Sequence, residues 1–328
     1  MLNEAKTASF SISVTQENDI VIEGSLEAIP GSSLAEAYAE LAEIKTNQIG
    51  FIQSPDNFAV TGGYMPFDAF DKDDLPGVGS LFEELREAFG DGGLDTTGLA
   101  VAKSIVDDIE AMLISTVVSG KIEVYSSWRR SGTLLVGATI DGGNKLHQAL
   151  IKSLVLLPQE FRQFVTLNTE QFEGFTISTV SVPMSAIPDV VDPNFNADLL
   201  PPALASRKIT LHIAIKDSAV ALALGLNNTA LVDLKKAIVA SKTPADFPDP
   251  IPSVIPANLA DFVQLFAPAE PNENFDKVMS ILSSFPPDAH ITESQVHRGN
   301  VSTYTAVVSS KLLPGIGKFI KMAMEAAE

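Results

Sequence analysis

The chain has 328 residues, 45% of them hydrophobic, no cysteine, and a formal net charge of −19 from 22 basic and 41 acidic side chains. That apolar fraction excludes general disorder, and the missing thiols remove disulfides, thiolate metal sites and cysteine catalysis together. Such an acidic balance repels phosphate backbones and anionic headgroups, so no nucleic-acid partner is expected. No window nears the roughly 20 apolar residues of a spanning helix, so no transmembrane segment is expected either.

The opening Met1-Leu2-Asn3-Glu4-Ala5-Lys6 lacks a basic stretch followed by an apolar one and does not read as a secretory signal. An exported chain with its signal trimmed and a cytoplasmic chain both fit. Avoidance of cysteine favours an extracytoplasmic location, periplasmic or secreted, with the cytoplasm as the alternative. The acidic, cysteine-free, Ala/Val-rich composition resembles that of exported bacterial proteins, a resemblance that carries no site.

Ser9 to Ile44 sets the grammar of the chain: an alternating strand with Phe10, Ile12 and Val14 on one side, a polar turn at Gln16 to Asp19, a returning strand, then a helix. Period-2 alternation reads as a half-buried strand, which places Phe10 in the core. Ser33 and Glu36 form a capping box, and Leu34, Ala37, Tyr38 and Leu41 supply the helix's inner stripe. Pro55 then leads into a strand from Phe58 to Tyr64. Residues 68–120 carry two helices, one opened by the box Ser80 to Glu83 and one from Leu99 to Val118, closed by Gly120. The grammar returns from Lys121 to Leu157, turning at Arg130-Ser131-Gly132, with Asn144 as the helix cap. It returns again from Lys208 to Ser241 and from His290 to the C-terminus, where Pro314 suits the start of a helix. Between these last two come a strand from Phe262 to Phe266 and a helix from Phe275 to Phe285.

These units repeat at long range. Pro55-Asp56-Asn57 returns as Pro256-Ala257-Asn258, an offset of 201; Leu34 matches Leu231 at 197, and Gly132 matches Gly299 at 167. Self-similarity at long period marks duplicated architecture. The expected fold is therefore α+β and internally duplicated: antiparallel sheets built from four strand-strand-helix units, with helices packed on one face. Residues 1–170 form the first half, with the helical insert 68–120. Residues 171–328 form the second, which includes a proline-rich connector over about 183–202.

Chemistry is sparse. The four histidines, His147, His212, His290 and His297, have no partners at metal-ligand spacing. Asp68, Asp71, Asp73, Asp74, Asp91 and Asp95 suggest calcium, but an EF-hand loop counted from Asp71 puts Leu75 and Phe82 at ligand positions, so the insert 68–95 reads as a solvated acidic segment. No phosphate loop, dinucleotide fingerprint or nucleophile elbow is present, and no catalytic, cofactor or metal residue is assigned. The sharpest local feature is Trp128-Arg129-Arg130, the sole Trp beside two Arg near a hairpin tip in an acidic chain. Trp and Arg are enriched at interface hot spots, which makes the three a candidate partner contact; the plainer alternative is a Trp lying on its own sheet with the Arg pair bound to carboxylates. The functional expectation is a non-enzymatic binding or interaction protein for an unknown protein or small ligand. The alternatives are a hydrolase with a site assembled across the halves, and a surface or assembly scaffold.

Overall fold

All four alternating hairpins form, and each is followed by a helix. The computed structural model describes residues 2–42, 45–66, 75–91, 95–184, 207–226, 228–246, 251–265, 267 and 273–327. In the first half, β1 (Ala5–Val14) and β2 (Ile20–Ala28) precede α1 (Ser33–Leu41). The short β3 (Lys45–Thr46) and α2 (Ile49–Ile52) lead to β4 (Asn57–Pro66), then α3 (Leu75–Asp91) and α4 (Thr96–Val118). β5 (Lys121–Arg129), β6 (Leu134–Thr139), α5 (Gly143–Leu156) and α6 (Gln159–Arg162) follow, and then β7 (Val165–Phe172) and β8 (Phe175–Pro183). The remainder is β9 (Lys208–Lys216), β10 (Ala219–Gly225), α7 (Thr229–Ala240), β11 (Ala245–Asp246), β12 (Ile251–Val254), α8 (Pro256–Gln264), α9 (Glu273–Leu282), β13 (Ile291–Arg298), β14 (Val301–Val308) and α10 (Leu313–Ala327).

Twelve strands make one antiparallel sheet in the order β1-β2-β14-β13-β12-β4-β5-β6-β10-β9-β8-β7, and β3 pairs with β11 in a separate two-stranded ladder. The class is α+β. Outward from the β12–β4 seam the order runs single strand, hairpin, hairpin in both directions, with β8 and β7 added beyond β9. The hairpin β1–β2 lies beside β13–β14, and β9–β10 lies beside β5–β6. In the main core Phe51, Ile52, Tyr125 and Leu135 pack with Ile177 and Leu234, so residues on both sides of position 170 share one interior. A second cluster of Leu282, Phe285, Ala289 and Leu312 fills the space under α8, α9 and α10.

Several sequence expectations need correction. Phe10, Ile12 and Val14 are not core residues: they are 70%, 64% and 65% exposed. The stretch from Phe262 is no strand, because Pro256 sits at the first turn of α8, where its missing N–H costs nothing and its fixed φ favours helix. Helices lie on both faces rather than one. β5 alternates regularly, so Tyr125 and Trp128 point to opposite sides; α2 and α7 pack with Tyr125, while Phe262 of α8 lies 5.7 Å from Trp128. Ser32, not Ser33, caps α1, accepting from Ala35 N–H at 3.3 Å. Gly142, not Asn144, precedes α5, in the left-handed conformation. The Ser80 to Glu83 box falls inside α3, which starts at Leu75. The hairpin β7–β8 was not foreseen. Pro183 ends β8, and the rest of the connector, 185–202, lies outside the described residues.

Candidate functional site

A cleft of about 210 Å³ opens where the β7–β8 and β9–β10 turns and the end of α7 meet Asn47 and Gln48. Its walls come from both halves. Gly137 creates the room beneath it: a Cβ there would stand 2.3 Å from Gln48 Oε1 and 2.6 Å from the Phe51 ring, forcing α2 off the sheet. Glu123 and Thr139 are directly paired on β5 and β6, so the Thr139 hydroxyl reaches the Glu123 carboxylate at 3.3 Å while accepting from Gln48 Nε2 at 3.3 Å. The Thr46 hydroxyl and the Asn47 N–H (3.3 Å) also donate to that carboxylate. Burial pushes the Glu123 pKa above the ordinary carboxylate value, against the pull of those three donors.

This polar floor satisfies itself. Of the two lysines on the walls, Lys242 is paired with Glu173 at 2.7 Å. Lys216 forms no ion pair among the described residues, and its ammonium stands 4.7 Å from the centre of the Phe175 ring. The cleft has room for a small polar group; the Thr139 hydroxyl on its wall donates to Glu123, and no histidine among the described residues lines it. Sequence reasoning missed Glu123 because its partner Thr46 lies 77 positions away and carries no motif.

The tip of β5 separates the three residues singled out in the sequence. Trp128, 36% exposed, packs edge-on against Phe262 and 6.3 Å from Phe58. A bulge in β4 between Asn57 and Ala59 supplies that neighbour, since the extra residue is Phe58. Arg129 turns to the opposite face and is 3% exposed. Its Nη2 donates to Gly50 O at 3.1 Å and its Nη1 lies 3.7 Å from Asp233 Oδ1, while Nε is buried without a partner. Burial lowers its pKa, with Asp233 opposing. Asp233 also accepts from the Ser131 hydroxyl at 2.8 Å, so this network ties the hairpin to α7. Arg130 is half-exposed, 2.7 Å from Asp56 and 3.9 Å from Asp261. Only Trp128 and Arg130 face solvent, and Arg129 belongs to the interior.

Among the described residues no hydrogen bond joins a histidine ring to a Ser, Asp or Glu side chain. His212 Nδ1 meets the Thr179 hydroxyl at 3.0 Å, and His290 Nδ1 lies 2.7 Å from the Asp288 carbonyl. The Nδ1 atoms of His147 and His297 are buried without partners. Burial lowers the pKa of both His212 and His297. Asp68, Asp71, Asp73 and Asp74 lie outside the described residues, whereas Asp95 caps α4 by accepting from Gly98 N–H at 2.6 Å. No group of three or more His, Asp or Glu among the described residues is placed to hold a metal ion, and no described helix is long and apolar enough to cross a membrane.

The β1 end of the sheet lies open to solvent. Every residue from Lys6 to Val14 is exposed, and no described strand pairs with the outer side of β1. Phe10, Ile12 and Val14 share a face with Gly24, Ile22 and Ile20 of β2, and Gly24 in turn pairs with Tyr304 of β14. α1 lies on this same face, where Tyr38 stacks 5.3 Å from His297, but over β13 and β14 instead of β1. No family model, curated protein or solved structure matches the chain.

Proposed function

We propose that the chain is a non-enzymatic protein-interaction protein acting outside the bacterial cytoplasm. The observation that carries this reading is the uncovered apolar row Phe10, Ile12, Val14 on an unpaired edge strand. Contiguous apolar surface of that kind is often functional, and binding to another protein removes it from water. The central cleft, at about 210 Å³, falls below the roughly 300 Å³ at which pockets hold drug-sized ligands, and argues against a small-molecule carrier. Among the described residues no histidine ring bonds a Ser, Asp or Glu side chain, which argues against a histidine-based hydrolase assembled across the halves. Location outside the cytoplasm rests on the absence of cysteine. Fractionation of the source cells tests it.

The interaction itself is tested by a photo-crosslinking residue at position 12. An adduct to protein that Phe10→Lys suppresses is the expected result. A small molecule recovered in stoichiometric amount with the natively purified chain would overturn the reading. A second reading, a small anion held in the cleft, is favoured only by Lys216, which forms no ion pair among the described residues of a chain of charge −19. Duplication belongs to the same proposal. One ancestral module copied, with first hairpins exchanged, accounts for a strand order that reads alike on both sides of the seam. The stretches after Pro55 and Pro256 already differ, strand against helix; superposing the hairpin-helix units 9–41 on 210–240 tests what remains, and unrelated backbone courses there would reject it.

A further inference from the structure

From the bare edge of the sheet we infer that β1 pairs antiparallel with β1 of a second copy of the chain, joining two sheets edge to edge. This rests on the interaction reading above and names its partner.

Natural edge strands are guarded against such pairing by brevity, proline, inward charge or a bulge. β1 is ten residues long with neither proline nor carboxylate. Its one charge, Lys6, is at the far end and held by Glu27 at 2.8 Å. The only irregularity in its pairing falls between Ala5 and Thr7, so Thr7 to Val14 runs as a regular strand. The opposite end of the sheet shows how the mirrored position is completed. β9 stands in the order where β1 does, and β8 lies antiparallel against its outer side from Thr176 to Pro183.

Self-pairing also matches the alternation of β1. In an antiparallel pair about a two-fold axis centred on Ser11, residues 10 and 12 of the two copies sit opposite each other, as do 8 and 14, and 9 and 13. Apolar then meets apolar along one face and serine meets serine along the other. A one-residue slip would put Phe10 and Ile12 opposite serines, so the pattern excludes odd slips. Electrostatics agree with this choice of partner. Two copies of a chain of charge −19 repel in general, but residues 5–14 contain no carboxylate, so the pairing strands themselves bring no like acidic charges together.

A single strand pair makes a small interface, so self-association is expected at a Kd of about 1–100 μM. Sedimentation of the full chain over rising concentration should show the 34.9 kDa species converting to one of twice that mass. Ile12→Lys should shift the conversion to at least about tenfold higher concentration, with circular dichroism and melting temperature unchanged. Because the chain has no cysteine, Ser11→Cys offers a geometric check. Directly opposed residues lie about 4.5–5.5 Å apart, within reach of a disulfide. Oxidation should cross-link Ser11→Cys much faster than Lys236→Cys on the exposed side of α7. A single-copy mass at every concentration, with equal cross-linking rates for the two cysteine variants, overturns the inference. If position 12 then captures a different protein, the interaction reading survives and self-pairing falls.

Discussion

The units β1–β2–α1 and β9–β10–α7 begin from the same pattern and end in opposite situations. On the face of β10 that receives α7 the side chains are Ala219, Ala221, Ala223 and Gly225. They let the helix approach until Ala230 Cβ lies 2.9 Å from where a Gly225 Cβ would be, and Leu234 reaches 0% exposure. The corresponding face of β2 reads Ile20, Ile22, Gly24, Leu26. Bulk there keeps a helix from seating closely, α1 settles on β13 and β14, and β1 is left uncovered. The two units share apolar alternation and differ in the size of the side chains that face the helix.

Substitutions on the two sides can break or sharpen that contrast. Leu234→Ala, in the closed unit, is expected to cost about 4 kcal/mol by denaturant melts, since it empties a filled site. A loss under about 1 kcal/mol would mean that α7 is not anchored there. Arg129→Ala should cost about 3 kcal/mol, because it strands Asp233 in the interior, whereas replacing both with leucine should recover most of the loss.

The buried titrating groups give effects of opposite sign. The Glu123 pKa is raised above 4.5 in the fold, so its contribution is fully present below the unfolded value and is lost as pH rises through the folded one. Glu123→Gln should therefore raise the melting temperature more at pH 7 than at pH 4; an equal gain at both would remove burial as the cause. His297 is lowered below 6.5, so its contribution is present above that value and is lost as pH falls through the folded pKa. His297→Phe, which keeps a ring against Tyr38, should flatten the fall in melting temperature from pH 7.5 to 5. Least of all, Phe10→Ala in the open unit should change stability by under about 0.5 kcal/mol at dilute concentration. A cost near that of Leu234→Ala would show that β1 is covered after all.

The four hairpins were legible because their alternation and turn residues are local. What covers them was not. Phe10, Ile12 and Val14 have the same spacing as Leu211, Ile213 and Ile215, and period-2 alternation says that a face is apolar without saying what lies against it. β7 escaped notice because its pairing slips between Thr166 and Glu170, with Asn168 at φ 53°, which destroys the two-residue period. A usable signal was present in Glu173-Gly174 between two phenylalanines, where both turn residues take positive φ and Phe172 pairs with Phe175. The repeat Pro55/Pro256 was real as sequence but marks different backbone courses, a strand entrance and a helix start. For the candidate site, Trp128 and its Arg neighbours stood out by residue type, yet strand parity sent Arg129 inward. Glu123 had no signal, since its donors come from β3 and β6.

The middle of the sheet is held together lightly. β12 meets β4 through one ladder pair, Val254 with Ala59, supported by Ile255 N–H to Phe58 O at 2.8 Å. The Asn258 amide adds bonds to the carbonyls of Pro55 and Asn57 at 2.9 and 2.7 Å. Coiling accumulates by roughly 20–25° per strand, and open sheets rarely exceed about ten strands unbroken. A seam this narrow joins the two blades of the sheet through one ladder pair, and α8 bridges them through Phe262 and Asp261. A load drawn across the width of the molecule would part it along this line first, with each blade left whole.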